Sequence, residues 1–144
     1  MIRRTLFALC LFCIATIAMS AQTVIGKWKT IDDDGVTEKS IVEIFEKDGK
    51  IYGRVLEVYP DPGEPDDPVC QKCEGDRKGE KIRGLEVIRE MELGADGTTY
   101  EGGKILDPEN GKEYTCKMWI EDGDLKVRGY ISFFYRTQTW LPAD

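Results

Sequence analysis

Cys70 and Cys73 stand in a C-x-x-C pair. That spacing serves thiol–disulfide exchange when it opens a helix, and supplies half of a tetrahedral zinc site when further ligands follow. Neither setting is evident. The neighbouring segments lack a βαβ alternation, and a zinc shell would have to be completed by Cys116 and a carboxylate such as Asp76, an uncommon set. Cys116 falls on the inward phase of an alternating segment, away from the pair. In an oxidising compartment the plainer chemistry is a disulfide. Cys70 with Cys73 is favoured, because their short separation guarantees proximity. Cys70 with Cys116 is the alternative, and either way one thiol stays reduced and buried.

The chain has no histidine, which removes Ser-His and Cys-His nucleophilic sites, imidazole bases and most zinc enzymes. The acidic runs Asp32-Asp33-Asp34 and Asp66-Asp67 lack the alternating ligand spacing of a calcium loop and read as solvated loop charge. No carboxylate pair has a separation that sequence determines, so glycoside hydrolysis has no support. The expectation is a protein that is not an enzyme, with no metal site and no cofactor.

Near the C-terminus, Phe134, Arg136, Gln138 and Trp140 share one face of an extended segment. If Trp140 joins the core near Trp28, Arg136 and Gln138 also point inward. A buried arginine needs a partner. The choices are an acidic or aromatic residue of the protein, including cation–π stacking over Trp28, or the carboxylate of an amphipathic ligand.

These residues must be carried by a chain of 144 residues with a formal net charge of −7. Arg3 and Arg4, the apolar run from Leu6 to Ala18 and the small residues Ala18, Ser20 and Ala21 have the order of an export signal. Residues 1–21 are therefore expected to be cleaved, leaving a periplasmic or secreted protein that begins near Ala21 or Gln22. The run is shorter than the roughly 20 residues a bilayer span needs, and no second one follows, so the mature protein should not span a membrane. Cys10 and Cys13 lack the upstream context for lipidation. Residues 22–144, about 120 in number, suit one domain with one core. Loss of the two arginines makes the mature charge more negative, which disfavours nucleic acid as a partner.

From Val24 onward, short alternating segments recur between turn signals, an all-β pattern. Val24 to Thr30 is the first. Lys39 to Lys47 and Lys50 to Tyr59 join through Asp48-Gly49, a dipeptide that supplies the positive φ angles of a tight hairpin. The same device recurs at Asp96-Gly97, between Leu85 to Leu93 and Thr98 to Leu106, and at Asp122-Gly123, between Lys112 to Glu121 and Asp124 to Ile131. Phe133 to Leu141 is last. Eight antiparallel strands can close into an up-and-down barrel without exposed edges; an immunoglobulin-like β-sandwich is the alternative. Tyr114, Cys116, Met118 and Ile120, with Leu125, Val127, Gly129 and Ile131, should face inward. By parity the three Asp-Gly turns gather at one tight end and the longer connections at an open end. The longest, 61–83, carries the cysteine pair and has the length of a functional lid.

Gly26-Lys27-Trp28 is similar to the G-x-W that opens the first strand of lipocalins, where the indole plugs the closed end. Tyr52-Gly53-Arg54-Val55, the run from Gly102 to Pro108, Gly111-Lys112-Glu113-Tyr114, the run from Leu125 to Tyr130, and Thr137-Gln138-Thr139-Trp140 together resemble the domain-of-unknown-function family 2147. That resemblance covers essentially the whole mature chain. It implies a small exported bacterial protein with a lipocalin-like calycin fold and no established activity. The chain departs from the family at Ser132 and Tyr135, where glycine is usual, and at Pro142, where arginine is frequent. Arg128 competes with Arg136 as the arginine that packs over the first-strand tryptophan in lipocalins, although its phase points outward.

The expected function is a binding module for a small apolar or amphipathic molecule, held inside a barrel lined by Tyr114, Met118, Ile120, Phe134, Arg136 and Gln138, with Gly26, Trp28, Arg128 and Trp140 structural. The alternatives are a filled barrel acting through its surface as an envelope interaction or stress protein, and a thiol–disulfide or metal site at Cys70 and Cys73.

Overall fold

Among the described residues, alternation of apolar and polar side chains becomes eight strands: β1 (Gly26–Ile31), β2 (Glu38–Lys47), β3 (Lys50–Val58), β4 (Glu86–Leu93), β5 (Tyr100–Asp107), β6 (Lys112–Glu121), β7 (Asp124–Ile131) and β8 (Phe134–Pro142). The computed structural model describes residues 23–144; the expected export signal, with Cys10 and Cys13, lies outside them. Each strand pairs antiparallel with the next, and β1 also pairs with β8 through Trp28↔Pro142 and Lys29↔Leu141, closing the barrel. Closure excludes the sandwich: a strand with neighbours on both sides has no open edge. The seam is short, extended only by the Ala143 amide donating to the Lys27 carbonyl at 2.9 Å.

Two of the Asp-Gly hairpins hold both central residues at positive φ: Asp48 at 54° and Gly49 at 77°, Asp122 at 53° and Gly123 at 83°. This is the turn whose twist matches that of the flanking strands. The third hairpin differs from the expected repetition of this device. Only Gly97 is left-handed there, at 72°, and the Gly94 amide reaches the Thr99 carbonyl across a longer loop. Asp96 holds that loop by accepting from the Thr98 and Thr99 amides at 2.9 and 2.8 Å. Hydrogen bonds from Thr99, and then Thr98, pull its carboxyl down to about 2. The opposite end carries the β1–β2, β3–β4 and β5–β6 connections and the tight turn at Ser132.

The closed half of the barrel is filled by its own side chains. Val24, Ile44, Met91, Met118 and Leu125 are almost completely buried there with Trp28 and Trp140. Each side chain of this size contributes on the order of 2 kcal/mol relative to exposure. The Trp28 indole N–H donates to the Val24 carbonyl at 2.8 Å, so the buried ring leaves no donor unsatisfied. β4 is irregular, with Glu90 at φ 61° and register shifts against β3. The irregularity drives Met91 and the Arg89 carbonyl against Gly103 of β5, where an added Cβ would lie 2.6 Å from the Met91 sulfur.

Candidate functional site

The open half is not filled. A cavity of about 540 Å³ runs from the mouth down to Trp140, within the roughly 300–1,000 Å³ of small-molecule sites. Val42, Val55, Val87, Ile105 and Val127 contribute apolar walls from β2, β3, β4, β5 and β7. Gly129 enlarges the space. Its missing side chain would face Tyr114 at 3.5 Å and Ile105 at 3.7 Å, ordinary contact distances, so the gap opposite them stays open. At the deep end the Trp140 indole N–H donates to Gln138 Oε1 at 3.0 Å.

Polar groups collect on the β8–β1–β2 side and at the mouth. Arg136 Nη1 lies 2.8 Å from Asp33 Oδ2, and Gln138 Nε2 lies 3.5 Å from Asp33 Oδ1. The hydroxyls of Thr30 and Ser40 are 2.7 Å apart. Lys39 meets Asp61 at 2.8 Å and Glu109 at 3.8 Å, and its hydrogen bond to Asp61 raises the ammonium above its ordinary pKa. Asn110 Nδ2 donates to the Tyr114 hydroxyl at 2.9 Å. The site is therefore an apolar well with one polar flank and a charged rim.

The 61–83 connection is strapped to the barrel wall. Cys70 and Cys73 are bonded to each other and buried. Val69 bridges Lys81, and Pro68, Val69 and Ile82 reach the cavity. Gly111 leaves room for the Lys72 backbone, which a Cβ at that position would strike. Arg77, on a 3₁₀ turn at Gly75–Arg77, has a side chain only 8% exposed. It donates from Nη1 to the Glu86 carbonyl at 2.9 Å and pairs through Nη2 with Glu113 at 3.0 Å, while its Nε has no partner among the described residues. Asp76 pairs with Arg89 at 2.8 Å, and the hydrogen bond from that guanidinium holds its carboxyl below the ordinary value.

Of the residues expected to line the interior, Tyr114, Phe134, Arg136 and Gln138 border the cavity. Met118 and Ile120 do not. Met118 is wholly buried in the packed half and Ile120 pairs with Leu125 beside the Asp122–Gly123 turn, so their inward phase places them in the filled part of the interior. Arg136 is not buried; its side chain is 61% exposed, because its place on β8 lies nearer the mouth than Trp140. Neither arginine packs over Trp28. Arg136 turns to Asp33, and Arg128 lies on the outer face between Trp119 at 4.8 Å and Tyr135 at 4.2 Å. Gly26 stands opposite Ile44 at the start of β1, and Trp28 opposite Val42. Trp140 belongs both to the core and to the cavity wall.

Sequence reasoning took Asp33 for solvated loop charge and gave Lys39 and Arg77 no role. Lys39 lies on β2, where alternation gives a face but not the distant carboxylates it meets, and a buried arginine in a polar loop has no periodicity to mark it. Cys116 is not bonded to Cys70; among the described residues it is a free thiol facing the core, and burial pushes its pKa up to about 12. With the other pair consumed in a buried disulfide, the described cysteines present no thiolate to solvent.

A family model described as an uncharacterized protein conserved in bacteria (DUF2147) matches residues 26–141. Among solved structures, the chain is similar to the one described as protein HP1028 from the human pathogen Helicobacter pylori, which belongs to the lipocalin family. The TM-score is 0.70 at 19% identity, over 86% of this chain and 85% of that one. At that identity the likeness is one of fold. No curated protein matches the chain.

Proposed function

We propose that this chain, which belongs to the DUF2147 family, is a non-enzymatic binding module that holds one small amphipathic molecule in the open half of its lipocalin-like barrel. The observation that carries this reading is the cavity of about 540 Å³, whose walls are aliphatic and whose rim is charged. An apolar chain would displace water from Val42, Val55, Val87, Ile105 and Val127. A polar head would lie at Arg136, Gln138 and Lys39. A carboxylate head would take over from Asp33 the guanidinium of Arg136, exchanging one charge-assisted hydrogen bond for another. Tyr114, Phe134, Arg136 and Gln138 are the proposed ligand contacts, with Trp140 as the deep reporter. The Cys70–Cys73 bond favours an exported, oxidising location, periplasmic or secreted.

Native mass spectrometry and tryptophan fluorescence with dodecanoate as the probe test this. The expected result is a one-to-one adduct and a saturable change in emission. Gly129→Leu, which fills the gap facing Tyr114 and Ile105, is expected to abolish both while leaving the β-sheet circular dichroism unchanged. No adduct and no emission change with dodecanoate, dodecylamine or a neutral dodecyl alcohol would leave the barrel acting through its surface alone.

A further inference from the structure

The β7–β8 hairpin stands at the cavity mouth, where Ile131, Phe134 and Tyr135 also border the cavity, and carries a run of exposed side chains that water does not favour. Phe133 is 96% exposed, Phe134 78%, Tyr135 61% and Ile131 57%. The patch continues down the outer wall, where the Tyr130 and Tyr135 rings lie 5.8 Å apart. Arg128 lies over both Tyr135 and Trp119 and donates to the Thr137 hydroxyl at 2.7 Å. Among the described residues, no carboxylate comes within ion-pair distance of Arg128. Its guanidinium is held in place by two rings and remains without an anionic partner.

We propose that this hairpin docks the barrel, mouth first, on the surface of a phospholipid bilayer. Aromatic side chains with an apolar body and a polar edge settle at the membrane–water interface, which is where Trp and Tyr concentrate in proteins that touch lipid. Phe133 and Phe134 at the tip would enter among the acyl chains. Tyr130 and Tyr135 would lie at headgroup depth, and Arg128, held against Tyr135, would reach a lipid phosphate. A second copy of the chain fits less well. The three consecutive aromatics expose on the order of 400 Å², on a convex tip, against the roughly 800 Å² per partner of a stable interface. The neighbouring rim is acidic, with Asp32, Asp33 and Asp34 on the β1–β2 connection beside β8. It favours zwitterionic lipid, whose ammonium can face those carboxylates, over a strongly anionic surface.

The proposal builds on the cavity reading, since a mouth laid on a bilayer is open to amphiphiles that reside there, but docking is measured separately. The full processed chain is floated in a density gradient with vesicles of phosphatidylethanolamine and phosphatidylcholine. Co-flotation is expected, along with weaker binding when phosphatidylglycerol replaces the zwitterionic lipid. Phe133→Ser combined with Phe134→Ser is expected to lower partitioning about tenfold or more, and Arg128→Gln severalfold, both with unchanged circular dichroism. Phe133→Ser alone, which leaves the cavity lining untouched, should float less and still take up dodecanoate. The cavity-filling Gly129→Leu should still float. Absence of flotation by the native protein, flotation only with anionic vesicles, or loss of a concentration-dependent dimer in the double variant without any flotation would each overturn docking. Uptake of dodecanoate by a protein that never floats would leave the cavity reading standing alone.

Discussion

Single residues here are governed by whether a polar group that leaves water finds a partner. Cys116 finds none that would stabilise a thiolate. Its pKa rises from an ordinary 9.0 to about 12 through burial, so the folded state holds the thiol proton more tightly than the unfolded chain does. The sign follows: this contribution to stability is fully present below pH 9 and is lost as pH climbs toward 12. Urea unfolding followed across that window should show stability falling in the native protein and falling less in Cys116→Ala. Iodoacetamide should label Cys116 only after unfolding. Arg77 is the opposite case, a charge kept in the wall because a carbonyl and a carboxylate receive it. Arg77→Met should cost about 1–3 kcal/mol by removing hydrogen bonds made by a charged group, read as a lower denaturation midpoint. It should also speed proteolytic cleavage within 61–83; an unchanged cleavage rate would show that the disulfide and the packing at Gly111 hold the strap without it.

Elements form here because side-chain period and turn residue agree. β6 and β7 keep register from Thr115↔Tyr130 to Glu121↔Asp124 without a shift. The phase of Cys116, Met118, Leu125 and Val127 was therefore legible from alternation alone. β4 shows where that legibility ends. Val87 and Ile88 are adjacent and both buried, and Met91 and Ile88 are both buried across a residue at positive φ. A simple alternation cannot describe such a strand, because bulges change which face the next residue takes. The compensating residue is Gly103 on β5, which yields its volume to the displaced β4 backbone. Gly103→Ala should destabilise by about 1–3 kcal/mol through overpacking, measured by thermal unfolding. A variant as stable as the parent would mean that β4 relaxes freely.

At the scale of the molecule, closure depends on a seam of few pairs. β1 and β8 share only two register positions, whereas β6 and β7 share seven. Local opening follows the weakest set of hydrogen bonds. Amide hydrogen exchange is therefore expected to be fastest, among the strands, at the β1–β8 contact and slowest in β6 and β7; uniform protection would show that the core under the seam, not its hydrogen bonds, controls opening. The two halves of the interior divide the labour. Trp28, Met118 and Leu125 stabilise the closed half, and the space left beside Gly129 in the open half is what a ligand could use.

The sequence alone determined what depends on neighbours a few residues away: the strands, two of the tight hairpins with positive φ at both central residues, the inward phase of β6 and β7, and the parity that puts the long connections at one end. Only the tertiary structure decided how deep the packing reaches and therefore where the cavity begins, why Met118 is core and Ile120 packs against it while Tyr114 and Gln138 border space, and that Arg136 faces Asp33 across more than a hundred residues of chain. The physical reason is that alternation reports which side of a sheet a residue occupies. How far along the barrel axis it stands, and which distant charge it meets, are set by strand tilt, bulges and closure.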